Sequence, residues 1–277
     1  MVSVFRYEDI AHYQLTTMKQ FVMDFYCIAI KKDFKGKIKY GQHYYDYDEG
    51  VMAFISPHQL LSHIQDSEIP IKGVCLLIHL DFLAGYPLGK KIKDYGFFSY
   101  GLNEALHLSE REEGTLDTIF REIKKESESN LDRFTQDVII AQIELLLQYS
   151  NRFYNRQFIT RKVAHDEILI RLEDLLEDYF RGEGNRDKGL PTVQYVADRL
   201  SFSPDYLSDM LRAITGKTTQ EHIHDKIIHE AKKLLSTTSE NIGQIAYRLG
   251  FEYPSSLNKL FKHKTNVTPS EFRKKFV

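Results

Sequence analysis

The last third of the chain repeats itself, and no other feature of the 277 residues restricts the fold as much. Val193, Val196, Ala197, Leu200 and Phe202 return as Ile242, Ile245, Ala246, Leu249 and Phe251 at an offset of 49, and Leu207, Leu211 and Gly216 return as Leu257, Phe261 and Asn266 at an offset of 50. One residue has entered at the second turn. In the first copy Thr192 and Ser203 stand where helix N-caps belong, Pro204 opens the second helix, and Gly216 supplies a left-handed C-cap. Two helices that cross steeply through a short turn need a side chain without bulk at their contact. Ala197 and Ala246 provide it, and Leu200 and Leu249 fill the wedge. The spacing predicts two helix-turn-helix units, at 192–216 and 241–266. Between them Ile223, Ile227, Ala231 and Leu234 describe an amphipathic helix from about Thr219 to Leu235.

The rest of the chain has a different texture. Of the 35 Phe and Tyr residues, 18 lie in residues 1–100, among turn residues and short apolar runs. Phe21 to Ile30, Ile38 to Tyr47, Val51 to Ile55 and Val74 to Leu80 read as strands of a small sandwich or barrel. Ser109 to Glu112 is a capping box, after which Leu116, Ile119, Phe120 and Ile123 recur at helical spacing. A second helix from about Asn130 carries a wide stripe of Phe134, Val138, Ile139, Ile143, Leu146 and Leu147. Such a stripe either packs on the β-domain or presents a seam to a second subunit. A third helix, about Glu167 to Phe180, sets Ile168, Leu172, Leu175, Leu176 and Tyr179 against a carboxylate face. Arg181 to Lys188 is charged, contains glycine and lacks periodicity, and reads as a flexible connection. The expected class is therefore α+β: a β-barrel domain at 1–107, a helical segment at 108–164, and an all-α domain at 165–277 with the two helix-turn-helix units.

Composition narrows the possible activities. Cys27 and Cys75 are too few for a framework of bridges and lack zinc-site spacing, so they read as small buried apolar residues of a protein in a reducing cytoplasm. The N-terminus shows no basic leader, and the longest apolar run is broken by Asp24 and too short to cross a bilayer, so a soluble protein with no membrane partner is expected. Net charge is only −2; from Leu190 onward 13 Lys and Arg stand against 9 Asp and Glu, but from Asp166 the count is 17 against 17. Charge alone does not announce a nucleic-acid partner.

Motif does. The stretch Thr192 to Phe276 resembles the DNA-binding domain of the AraC/XylS family of bacterial transcription regulators. The resemblance covers both helix-turn-helix copies, the connecting helix, the block Ile242-Gly-Gln-Ile-Ala-Tyr-Arg-Leu-Gly-Phe251, and the closing Thr268-Pro-Ser-Glu-Phe-Arg273. It departs from the family at Asn266, where glycine is expected, at Lys226, where arginine is usual, and at Thr219, where proline is common. Gly50, Phe54, Pro57 and Gln59 look similar to the family's N-terminal barrel motif, and His79 to Leu83 to the segment after it. The resemblance implies a cupin-like sensor barrel, double-stranded DNA as partner, a small-molecule effector, transcription either recruited, as by an activator in contact with RNA polymerase, or blocked, and a homodimer formed through the helix near Asp132 to Tyr149.

Family placement puts the first reading helix at Pro204 to Thr215, with Asp205, Tyr206, Ser208, Asp209 and Arg212 toward the groove. The second, Pro254 to Thr265, would present Pro254, Ser255, Ser256, Asn258, Lys259 and Lys262, with Tyr253 at its start. A connecting helix of 17 residues spans roughly 25 Å, which could hold the two readers near the ~34 Å repeat of the major groove. Lys259 suits guanine O6 or N7 and Asn258 an adenine edge. Asp205 and Asp209 either meet cytosine amino groups or make the first helix a weak binder, the preferred reading. Lys259, Lys262 and Lys264 taken alone would be an ordinary solvated face; their place in the second motif gives them weight.

Enzymatic chemistry finds little support. A metal-dependent barrel oxygenase would need closely spaced histidines, and His43, His58, His63 and His79 form no His-x-His pair. His222 and His224 have that spacing, but on a helix i and i+2 point apart. Neither a phosphate loop nor a nucleophile elbow is present, so no catalytic residue, metal or cofactor is expected. A sensor needs only a pocket, which Tyr40, Tyr44, Tyr45, Tyr47 and Phe54 would line, or else these rings form the core. A regulator without a ligand is the third possibility.

Overall fold

The computed structural model describes residues 1–10, 20–32, 37–40, 43–46, 50–62, 72–101, 104–129, 132–160, 162–181 and 189–275. Chain contacts divide the protein into two compact units, Met1–Thr160 and Arg161–Val277.

In the first unit, alternation sets the sheet. Strand β1 (Val2–Arg6) leads into a short helix, α1 (Tyr7–Ile10). The apolar run expected as one strand is two, β2 (Gln20–Val22) and β3 (Phe25–Lys32), interrupted at Met23 and Asp24. The hairpin of β4 (Lys37–Tyr40) and β5 (His43–Asp46) follows, then β6 (Val51–Ile55), β7 (Leu60–Ser62) and β8 (Lys72–His79). After a helical turn α2 (Pro87–Lys91), the two-residue strand β9 (Leu106–His107) joins β6. The expected closed, cupin-like barrel is not what the described strands make. They form an open antiparallel sheet in the order β1-β8-β3-β6-β9, with β2-β7 and β4-β5 as separate two-stranded ladders.

The physical reason is a layer of helices in place of closure. Helix α3 (Glu110–Glu128) starts at the expected capping box, with Ser109 Oγ and the Glu112 carboxylate each serving the other's backbone N–H. It packs on helix α4 (Thr135–Thr160) and on β1 and β8. The sheet face of Tyr26, Ile28, Ile30, Met52, Phe54, Leu76 and Ile78 is buried, and α4 lays Ser150 on Met52 and Tyr154 by Phe54. Gln157 of α4 accepts from the His107 N–H at 2.8 Å and donates to the Ala105 carbonyl, tying helix to edge strand. The apolar stripe of α4 splits: Ile139, Ile143, Leu146 and Leu147 are core, whereas Phe134, Val138 and Leu145 remain exposed.

Among its described residues the second unit has helices and no strand. Helix α5 (Lys162–Arg181) buries Ile168, Leu172, Leu176 and Tyr179. Residues 182–188, read above as a flexible connection, lie outside the described residues. Helices α6 (Val193–Leu200) and α7 (Pro204–Thr215) form one pair, and α9 (Ile242–Arg248) and α10 (Pro254–Thr265) the other. Between them α8 (Thr219–Thr237) touches all four, and α11 (Pro269–Arg273) packs on α8 and α10. Ile223, Ile227, Ile228, Ala231 and Leu235 form the buried stripe of α8, with Leu235 more deeply placed than the expected Leu234.

Candidate nucleic-acid interface

The two turns are built alike. In the first, the Phe202 N–H reaches back to the Ala197 carbonyl at 2.9 Å; in the second, the Phe251 N–H reaches the Ala246 carbonyl at 3.0 Å. Both require a left-handed residue one position earlier: Ser201 at φ 65° and Gly250 at φ 95°. Ala197 and Ala246 are both fully buried, as a steep crossing demands. Each second helix ends in the same cap, Gly216 N–H on the Arg212 carbonyl and Asn266 N–H on the Lys262 carbonyl, with φ 76° and 61°. Asn266 therefore does the work of the expected glycine, since a short polar side chain tolerates this region.

The outer surfaces of α7 and α10 differ. On α7, Tyr206 is a correction to the expected groove-facing set: it is 6% exposed and stacks on Phe202, with centroids 5.5 Å apart, because the first turn of the helix folds it over its own turn. Ser208 is half-buried with its hydroxyl on Thr219 Oγ1 at 3.1 Å, in the position where proline is common. Asp209 is half-buried and paired with the exposed Arg212 at 3.1 Å. Asp205 is exposed. This face offers one arginine already engaged by a neighbouring carboxylate.

On α10 the six polar or aromatic residues expected to face outward all do so: Tyr253, Ser255, Ser256, Asn258, Lys259 and Lys262 are exposed, and Pro254 is half-buried at the helix start. Among the described residues Lys259 and Lys262 take part in no ion pair. Lys264 is spoken for, since Asp225 of α8 holds its ammonium at 2.8 Å and that of Lys217 at 2.7 Å. Burial would raise the Asp225 carboxyl, but these two cations hold it below the usual range. Asp225 thus joins the end of the first copy to the end of the second, a role with no periodic signature in the sequence. Tyr247 on α9 and His263 on α10 are also exposed.

The closing element has a structural explanation. Thr268 and Glu271 cap α11 reciprocally, Phe272 meets Phe261 edge-on at 5.5 Å, and Arg273 Nε donates to the Leu235 carbonyl at the end of α8. Lys226 pairs with Glu230 at 3.3 Å and Glu177 at 4.0 Å, linking α8 to α5. His222 and His224 turn to Thr215 and Gln220 respectively, not to each other.

The ligand candidates fare differently. Tyr47 lies outside the described residues, as do the side chains of Tyr40, Tyr44 and Tyr45. Phe54 is core, 5% exposed, among Phe97, Phe98 and Tyr154. His58 stands by Asp24 and His79 by Asp81, and among the described residues no three His, Cys, Asp or Glu cluster as metal ligands. No helix among the described residues is long and apolar enough to cross a membrane.

Comparison with known proteins meets this geometry at the helix-turn-helix helices. A family described as "Helix-turn-helix domain" matches residues 196–275. The chain is 34% identical over 83 residues to the uncharacterized HTH-type transcriptional regulator YisR of Bacillus subtilis, covering 30% of this chain and 29% of that protein. It is 28% identical over 151 residues to the HTH-type transcriptional activator RhaS of Escherichia coli, covering 54% of this chain and 50% of RhaS. Half or less of each curated relative is thus spanned. Among solved structures, the C-terminal domain of AraT, a response regulator from Geobacillus stearothermophilus, matches 39% of this chain and 84% of its own at 26% identity and a TM-score of 0.34.

Proposed function

We propose that this chain is a regulator of the AraC/XylS family, a sequence-specific DNA-binding protein and not an enzyme; its matches to a helix-turn-helix family and to the regulators YisR and RhaS support the reading. The observation that carries this reading is the second helix-turn-helix unit, where α10 presents Ser255, Ser256, Asn258, Lys259 and Lys262 outward with two uncommitted ammonium groups. Hydroxyls and lysines serve phosphates, and Asn258 and Lys259 suit adenine and guanine edges. Helix α7 is the weaker reader, contributing Arg212 and the Ser208 hydroxyl beside an acidic Asp205 and Asp209. Tyr206 contributes to the turn and not to the groove.

The first unit is the place of control. The family resemblance supports a small-molecule effector there, a cytoplasmic homodimer, and an activator's contact with RNA polymerase. One observation favours a second reading, control by abundance or by a protein partner: Phe54, Phe97, Phe98 and Tyr154 fill the described interior with rings in mutual contact.

The test is recovery of the bound genomic sites from the native cell, followed by affinity across a range of salt. Half-elements about ten base pairs apart, bound at least ~10³-fold tighter than random DNA, are expected. Equal affinity for recovered and random DNA overturns the reading. An affinity that changes on adding cell metabolites supports the effector; one that responds only to a protein fraction supports the alternative.

A further inference from the structure

We infer that Cys27 and Cys75 form an intramolecular dithiol site that a small peroxide converts reversibly to a disulfide. The two cysteines lie on neighbouring strands, where the register pairs Cys27 with Leu77 and Ala29 with Cys75, so they sit diagonally on one face of the sheet. Both thiols are free and buried, and their sulfurs are 3.4 Å apart. Small apolar filling explains burial, but it does not require two sulfurs in contact. Nor does it require the polar groups around them: Lys31 follows on the same face, and the Tyr7 hydroxyl donates to Cys75. Around the pair lie Phe5, Tyr7, Met23, Ile55 and Leu77, all themselves in part exposed.

The two thiols share one hydrogen bond, and either sulfur can be its donor. One of them, as thiolate, attacks the peroxide: an S–O bond forms, the O–O bond breaks, and the leaving hydroxide takes a proton to become water. The other, giving up its proton, then attacks the sulfenic sulfur; the S–S bond forms, the S–O bond breaks, and a second water leaves. The two sulfurs supply the two electrons that reduce the peroxide. Diagonal positions lie ~7–8 Å apart at Cα, at or beyond the span a relaxed bridge prefers. Closing the 3.4 Å between the sulfurs to a bond therefore asks the two strands to shift.

The full-length reduced protein, treated natively with hydrogen peroxide and then denatured in maleimide, tests this. Expected are loss of both titratable thiols, a mass lower by two hydrogens, a single cross-linked peptide containing residues 27 and 75, and return of both thiols on adding dithiothreitol. With one cysteine replaced, in C75S or in C27S, no cross-linked peptide should form, and dimedone should capture a sulfenic acid at the cysteine that remains in at least one of the two. Two maleimide-reactive thiols after native treatment, a bond between chains, or a sulfinic acid on Cys27 in the unaltered protein would each overturn the proposal. Because the unaltered chain carries the decisive readout, a variant that fails to fold does not obscure it.

Discussion

Gly250 shows how much one residue can decide. Its φ of 95° lies where side chains are strained, and a Cβ there would stand 2.4 Å from the Gly189 carbonyl oxygen, which also accepts from the Tyr179 hydroxyl. G250A should destabilise the second unit by more than the ~1–2 kcal/mol of the left-handed backbone alone, read from chemical denaturation. The equivalent S201G in the first turn should be neutral or stabilising, because Ser201 already bears that strain at φ 65°. Glu112 makes a second residue-scale prediction. Burial would raise its carboxyl, but the Ser109 N–H and the Arg156 guanidinium, at 2.9 and 2.6 Å, hold it below the usual range. Its contribution is therefore complete above the ordinary glutamate value and is lost as pH falls through the lower folded value. E112Q should cost about 1–3 kcal/mol near neutrality and flatten the acid limb of a Tm-against-pH curve; an unchanged limb would refute the assignment.

At the scale of elements, α7 and α10 share a fold but not a surface. K259A is expected to weaken specific binding by ~1–3 kcal/mol if it reads a base, and to weaken specific and random DNA equally, with a shallower salt slope, if it meets phosphate. D205N on α7 should tighten binding to any duplex, since it removes a like charge from the phosphate side; loss of affinity would instead make Asp205 a base reader. Titration by fluorescence anisotropy across salt distinguishes these outcomes. Most of these helices were legible in the sequence because caps and apolar spacing are local: Thr192, Ser203, Ser109 and Asn266 all do what their types promise. Tyr206 was misplaced because aromatic stacking on Phe202 is decided by the turn, not by spacing along α7. The barrel was misjudged for a kindred reason. Alternation identifies strands, but whether β1 and β9 meet each other or stay as edges depends on what covers the sheet, and here α3 and α4 supply a layer. The bond from Lys264 to Asp225 joins residues 39 positions apart, and no local pattern announces it.

For the whole molecule, the two units make unfolding in two steps the expected behaviour, with the aromatic core of the first and the helices of the second melting independently in calorimetry. If the protein acts as a homodimer through α4, the exposed Phe134, Val138 and Leu145 are the side chains to bear it. V138E and L145E should then give monomers in sedimentation, with a Tm that no longer rises with protein concentration, whereas dimers that persist would move the interface elsewhere. Helix α8 has an implication for how such proteins diverge. It is capped by Thr218 and Glu221 at one end, held by Arg273 at the other, and packed throughout by both helix pairs. One inserted residue would advance the distal half by ~1.5 Å and rotate it by ~100°, turning the second reader away from any duplex the first had grasped. The length of α8 is thus held more tightly than its surface, so related chains should differ there by substitution while keeping its length, and their operators should drift in sequence while keeping their spacing.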